Sequence, residues 1–267
     1  MVYTPSNLGL TRTLRADSSA PGDLHHGDDG PAMRGGGASA RMRTCEISYL
    51  RSDARIGFEQ HSIPPHPVFD GAFSAFARGT LITTTRGPVA IEDLDPGMRV
   101  VTNERGPSPI LWIGRMTWQA NRNEARPEGA RLTRIQTGAL GLGRPLADVL
   151  TGPGARTLQR ADGWRGSAHA DQTLRPIHDM IDGTHVIALS PPGDVELFHI
   201  ALRRHATITA AGLAVETYHP GPGFENQLTY QQLSLFMRLF PHILRPTDFG
   251  SLAHPRAPLH HGGRAIA

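Results

Sequence analysis

Lysine is absent from the chain: all 27 positive side chains are arginine, set against 24 acids. The pI near 9.6 therefore reflects a small surplus of groups that never titrate away. No basic stripe with interleaved aromatics accompanies it, and aromatics make up only 6% of the residues, so no nucleic-acid partner is expected. A single cysteine, Cys45, excludes an internal disulfide; it sits in no metal-ligand spacing and reads as a simple apolar position. No stretch approaches the roughly 20 apolar residues of a membrane span. The start of the chain lacks the apolar run of about 7–15 residues that marks a signal peptide. A cytoplasmic location is the expectation, with signal-free export left open.

Several common chemistries are missing as well. There is no G-x-S-x-G elbow, no P-loop, no H-E-x-x-H and no Cys/His cluster. The run Gly138-Ala-Leu-Gly141-Leu-Gly143 superficially resembles a glycine fingerprint, but Arg-Pro follows it where a helix would have to start, so it reads as a turn. Neither a cofactor nor a metal is expected. A protein partner is left open.

What is present is glycine (30) and proline (22), which imply many turns and short strands. Residues 1–43 are polar and glycine-rich, with too little to bury to offset their ordering entropy, and read as a disordered leader. Its pair His25–His26 reads as part of a solvated tail. Residues 44–72 hold a short strand followed by a proline-rich extended link. Over residues 73–223, turn signals recur at intervals of roughly ten residues, as in an all-β unit. They include Asp95-Pro96-Gly97, the 191–194 Pro-Pro-Gly-Asp run and Ala211-Gly212, with a polar excursion at 161–172. After Gly223 the period becomes helical. Leu228, Leu235, Leu239 and Ile243 share one face, widened by Leu233, Phe236 and Phe240, which predicts one amphipathic helix over 224–246. Residues 247–267 read as irregular. The fold class is mostly β with one C-terminal helix.

Three segments carry a more specific signal. FSAFARGTLITTTRGPVAIEDLDPGMRVVTNERGPSPILWIGR is followed by LTRIQTGALGLGRPLADVL and closes with ELFHIALRRHATITAAGLAVETYHPG. In order and spacing they resemble a bacterial Hint (hedgehog/intein) domain over about residues 73–220. That resemblance implies the Hint β-fold. It also implies an autoprocessing chemistry: a cysteine or serine at the domain's first position attacks the preceding carbonyl. A Thr/Ser-x-x-His step polarises that carbonyl and protonates the leaving nitrogen. A second event then resolves the thioester, by cyclisation of an asparagine in true splicing.

Carried onto this sequence, the resemblance puts the nucleophile at Ala75. The second motif, Ser-Pro-x-His-Arg in the family, is registered by Pro153 and Arg156. Its hydroxyl position is then Gly152 and its histidine position Ala155. No His-Asn pair followed by Cys, Ser or Thr closes the domain. The expected function is a Hint-like protein without self-cleavage, acting as a structural or binding module. The alternative is autoprocessing with an unusual nucleophile, for which Ser74, Thr80 and Thr151 are the candidates; on a regular strand, Ser74 would point away from the Ala75 face. A third reading is a small-molecule or metal site around His199, His205 and His219. His199 and His205 lie six apart, and one regular strand would place both on one face. The bland reading of each is a hydrogen-bonded structural histidine.

Of the scaffold residues, Gly79 is expected to allow close backbone approach. Glu92-Asp93 should cap or turn a one-turn helix, and Trp112 should lie in the core.

Overall fold

The computed structural model describes residues 42–119, 131–160 and 172–257. The predicted leader up to residue 41, with His25–His26, and the excursion at 161–171 lie outside them. Among the described residues the strands are β1 (Arg43–Leu50), β2 (Ile56–Ile63), β3 (Phe76–Ala77), β4 (Leu81–Thr84), β5 (Gly87–Ala90), β6 (Arg99–Thr102), β7 (Gly106–Trp118), β8 (Leu132–Ile135), β9 (Val149–Thr151), β10 (Arg156–Arg160), β11 (Gln172–Pro176), β12 (Val186–Leu189), β13 (Val195–Leu202), β14 (Thr207–Ala210) and β15 (Leu213–Glu216). Two α-helices accompany them, α1 (Pro67–Phe73) and α2 (Tyr230–Arg238). The fold is mostly β, as the turn spacing predicted.

The turns act through backbone angles that few residues accept. Gly97 closes the Asp95-Pro96-Gly97 turn at φ +98°, and its N–H reaches the Ile110 carbonyl. Ala211 and Gly212 both have positive φ, the pairing that suits a tight hairpin between right-twisted strands, here β14 and β15. The glycine-rich run at 138–143 is indeed a turn, with positive φ at Gly138, Gly141, Leu142 and Gly143.

The long strand β7 organises the sheet. Its first residues pair with β6, while Trp112–Trp118 pair with β13 on one side and, through Met116, with β1 on the other. Two apolar clusters result. One, built on Phe76, Ile82, Ile110, Ile200 and Ile208, fills the β-domain. The other is aromatic: Phe69, Phe73, Trp112, Tyr218, Phe236 and Phe240 pack together, with Trp112 and Phe240 centroids 4.6 Å apart. The Trp112 indole donates to the Leu239 carbonyl at 2.6 Å. Trp112 is in the core, as expected.

That second cluster corrects three expectations. Residues 44–72 are not mainly an extended link: β1 and β2 form a hairpin, and α1 starts at Pro67. Proline at the first helical position costs nothing, because its missing N–H has no partner there anyway. His66 caps the helix by accepting the Val68 N–H at 3.2 Å. The C-terminal helix is shorter than predicted. It is capped by Thr229 and Gln232, each side chain bonding the other's backbone, and ends at Arg238. A 3₁₀ turn at Phe224–Gln227 precedes it, and another, Pro246–Phe249, lies where a stop was expected. Residues 247–257 are only partly irregular, since Leu174 and Arg256 form a parallel β-bridge that extends the edge of β11; the rest of the expected tail lies outside the described residues. Both flanks therefore share a core with the β-domain.

Candidate functional site

The Ser74–Ala75 peptide, where the resemblance puts the reacting bond, is fully buried. It joins the C-terminus of α1 to β3 and is fixed on every side by backbone. The Ala75 N–H donates to the Phe198 carbonyl at 3.1 Å, and the Ala75 carbonyl accepts from Gly152 N–H at 2.9 Å. The Ser74 carbonyl accepts from Gly154 N–H, also at 2.9 Å. Segment 152–155 thus lies directly against the peptide, as the resemblance implied, but it brings main chain there instead of functional side chains. A Cβ added at Gly152 would overlap the Ser74 carbonyl oxygen, and one at Gly154 would sit 2.7 Å from the Gly71 carbonyl oxygen. Ala155 is buried in the β-domain core together with Ala75.

The three candidate hydroxyls have settled roles. Ser74 is the C-cap of α1, not a strand residue. Its Oγ faces segment 152–155 and accepts from Gly154 N–H at 3.2 Å, so the expectation that it points away fails. Thr80 Oγ1 donates to the Ala77 carbonyl at 2.7 Å, and Thr151 Oγ1 to the Thr133 carbonyl at 3.3 Å. No histidine or carboxylate bonds any of the three among the described residues. Gly79 is needed for its φ of +86°, not for close approach, since a Cβ there would meet open space. Its N–H is bound by the Glu92 carboxylate at 2.7 Å, and Glu92 lies in the one-turn 3₁₀ helix Ile91–Asp93.

The histidines do not share one strand face. β13 is bulged between Ala201 and Leu202 and ends there, so His199 stays in the strand and His205 lies in the turn beyond it. The structure does bring His205 and His219 together, with ring centroids 5.3 Å apart. His205 Nδ1 accepts from Ala253 N–H at 2.8 Å, so its proton sits on Nε2, 3.0 Å from Glu216 Oε1. His219 Nδ1 accepts from Gly221 N–H at 2.9 Å, and Nε2 donates to the Gly250 carbonyl at 3.0 Å. Both nitrogens of both rings are thereby committed. His199 packs edge-on to Phe76 and Tyr218. No group of three or more His, Cys, Asp or Glu side chains is placed to hold a metal among the described residues.

Sequence reasoning missed the centre of this cluster. Glu216 is 1% exposed, yet it is a carboxylate. Besides His205 it accepts from Arg256 Nε at 2.9 Å, and Arg156 Nη1 stands 3.7 Å away. Arg256 also donates to the His219 carbonyl at 2.6 Å. Burial alone pushes the Glu216 carboxyl up; the bond from His205 and the charges of Arg256 and Arg156 outweigh it and hold it at about 2. The Tyr218 hydroxyl beside this cluster is buried and has no hydrogen-bond partner among the described residues. Glu216 belongs to the closing VETYHP segment, but nothing in its spacing marks it as paired with a residue forty positions on.

Burial also draws His199 down from 6.5 to about 3 and His219 to about 4. Such rings are neutral in the fold and bind protons readily once unfolded. Stability therefore falls as pH drops below 6.5, by up to about 1.4 kcal/mol per pH unit for each ring, until the folded values are reached. Urea midpoints at pH 7 and pH 5 should differ accordingly, and replacing His219 with Gln should flatten the dependence.

The backbone is similar to that of the gp41-1 intein (12% identity, TM-score 0.33, covering 54% of this chain and 98% of that one). It is similar also to a bacterial intein-like domain from Clostridium thermocellum (14%, 0.32, 54% and 99%) and a DnaB intein from Synechocystis sp. PCC 6803 (15%, 0.30, 55% and 99%). No curated protein matches the sequence. The model of the Hint domain family matches residues 74–222, more than half of the chain, and the protein belongs to that family.

Proposed function

We propose that this Hint domain has lost self-processing and serves as a non-catalytic structural or binding module. The observation that carries the reading is the contact between segment 152–155 and the Ser74–Ala75 peptide. Autoprocessing needs a nucleophile on one side of that bond and a hydroxyl and imidazole on the other. Here a methyl group occupies the first position. The other two are a glycine and an alanine, and the glycine's α-carbon fits only because it carries nothing.

An Ala75→Cys variant isolates the missing base from the missing nucleophile. Supplied with a thiol but no imidazole, it should keep one full-length mass through a day in hydroxylamine. Hydroxylamine-dependent fragments ending at Ser74 would show that the surrounding machinery is still competent, and the reading would fall.

A further inference from the structure

The loop Gly250–Ala253 runs from the 3₁₀ turn Pro246–Phe249 to the Leu174–Arg256 bridge and is fixed at both ends. At one end the Phe249 ring packs edge-on to Tyr218, Phe224 and Phe240. At the other, His254 bonds Glu104 at 2.9 Å and Arg256 bonds Glu216 at 2.9 Å. Between these anchors, two hydrogen bonds join the loop to the β-domain among the described residues, and each ends on a histidine. His219 Nε2 donates to the Gly250 carbonyl, and His205 Nδ1 accepts the Ala253 N–H. The loop is one wall of a cavity of about 430 Å³ that it shares with Glu104, Arg105 and the turn Arg203–His205.

We propose that Gly250–Ala253 is a flap that acid opens. Both histidine ties need a neutral ring, because an imidazolium donates from both nitrogens and accepts at neither. A proton on His205 Nδ1 would face the Ala253 N–H, 2.8 Å away, and expel it. A proton on His219 Nδ1 would face the Gly221 N–H at 2.9 Å and turn the ring off Gly250. The surroundings oppose charge on either ring while the flap is shut. The rings lie 5.3 Å apart beside Arg256, Arg156 stands on the far side of Glu216, and Arg105 donates to the His205 carbonyl from the β6–β7 turn. Glu216 is the one acid that favours it, and Arg256 already occupies that carboxylate. Burial first, then these cations, hold His219 at about 4, and His199 on β13 stays neutral to about 3.

The anchors respond the other way. Glu216, near 2, keeps its charge and its grip on Arg256, and a proton on His254 strengthens the bond to Glu104. Gly250, at φ +77° and ψ −159°, provides a pivot in a region essentially reserved for glycine. Acid thus frees the middle of the segment, keeps its ends and widens the cavity. The device does not depend on whether the domain cleaves itself.

Amide hydrogen exchange of the full chain between pH 7 and 4.5, corrected for the intrinsic pH dependence of exchange, reads the flap. Opening returns the two rings towards an ordinary value near 6.5, so each proton taken up raises the opening constant about tenfold per pH unit. Ala253 protection should fall at least about tenfold from pH 6 to pH 5. Low urea should not change it, since so local an opening exposes little surface. Leu174 and Ala257, whose N–H groups bond the anchored part of the segment, should stay protected. His205→Asn keeps an acceptor near the Nδ1 position and His219→Gln keeps a donor near Nε2, and neither titrates. The double variant should show Ala253 protection independent of pH over this range. Undiminished protection of Ala253 at pH 5 would overturn the proposal. So would loss of Ala253 and Leu174 protection together with one urea dependence, or a double variant that opens with the wild-type slope.

Discussion

Replacing Glu216 with Ala should destabilise the protein by about 3–5 kcal/mol, a large share of the 5–15 kcal/mol typical of a folded domain. The cost comes from what the carboxylate leaves behind. Arg256 and Arg156 would keep their charge with most of each side chain buried, and the His205 Nε2 proton would lose its acceptor. Burying an unpaired cation is far dearer than forgoing a pair. Urea unfolding at pH 7 measures the loss. The pH dependence gives it a signature. The folded carboxyl lies near 2 against an ordinary 4.5, so its contribution is complete above pH 4.5 and is lost as pH falls towards 2. The gap between wild type and variant should narrow over that interval and remain constant above it. Because the Arg256–Glu216 bond ties the 253–257 segment to the end of β15, the same variant should also loosen that segment. Amide exchange at Leu174 and Ala257, whose N–H groups hold that segment to β11, would report it.

Restoring a family hydroxyl at Gly152 is expected to damage the fold rather than revive chemistry. The Gly152→Thr variant should lose at least about 3 kcal/mol, at or beyond the upper end of ordinary overpacking costs. What its Cβ would meet is the Ser74 carbonyl, which is main chain and cannot swing aside as a side-chain tip can. The Leu197 side chain, 2.9 Å from the same point, closes the other direction. Relief requires segment 152–155 to lift from the peptide, breaking the Gly152–Ala75 and Gly154–Ser74 hydrogen bonds. Thermal unfolding of the single variant checks this. A Gly152→Thr protein as stable as wild type would show that the segment yields easily and that glycine is there for no packing reason.

How much of this was legible beforehand depended on range. The turn at Asp95-Pro96-Gly97 and the hairpin at Ala211-Gly212 were readable because a local backbone angle dictates the residue. The resemblance assigns Gly152 and Ala155 to the hydroxyl and histidine positions of a motif that Pro153 and Arg156 register. That the gap is filled by main chain was not readable, since packing of 152–155 on Ser74 joins segments almost eighty residues apart. Helix α1 was hidden by its prolines, which signal extended chain until one of them is recognised as the first helical residue. The shortened α2 has a local cause that the apolar period conceals: Pro241, inside the predicted helix, has no N–H for the Met237 carbonyl and disfavours a helical Phe240, while Leu239 and Phe240 keep the apolar face. The Glu216 cluster left no local trace, because its three partners come from β10, the turn after β13 and the C-terminal segment.

The central claim, that the Ser74–Ala75 bond is inert, is tested most directly by intact mass. Freshly expressed chain carrying a tag at each terminus would be followed for days at neutral pH, with and without dithiothreitol. The account predicts one full-length mass, unchanged by the thiol. A pair of fragments summing to that mass and parting at Ser74–Ala75, formed faster with dithiothreitol, would contradict it.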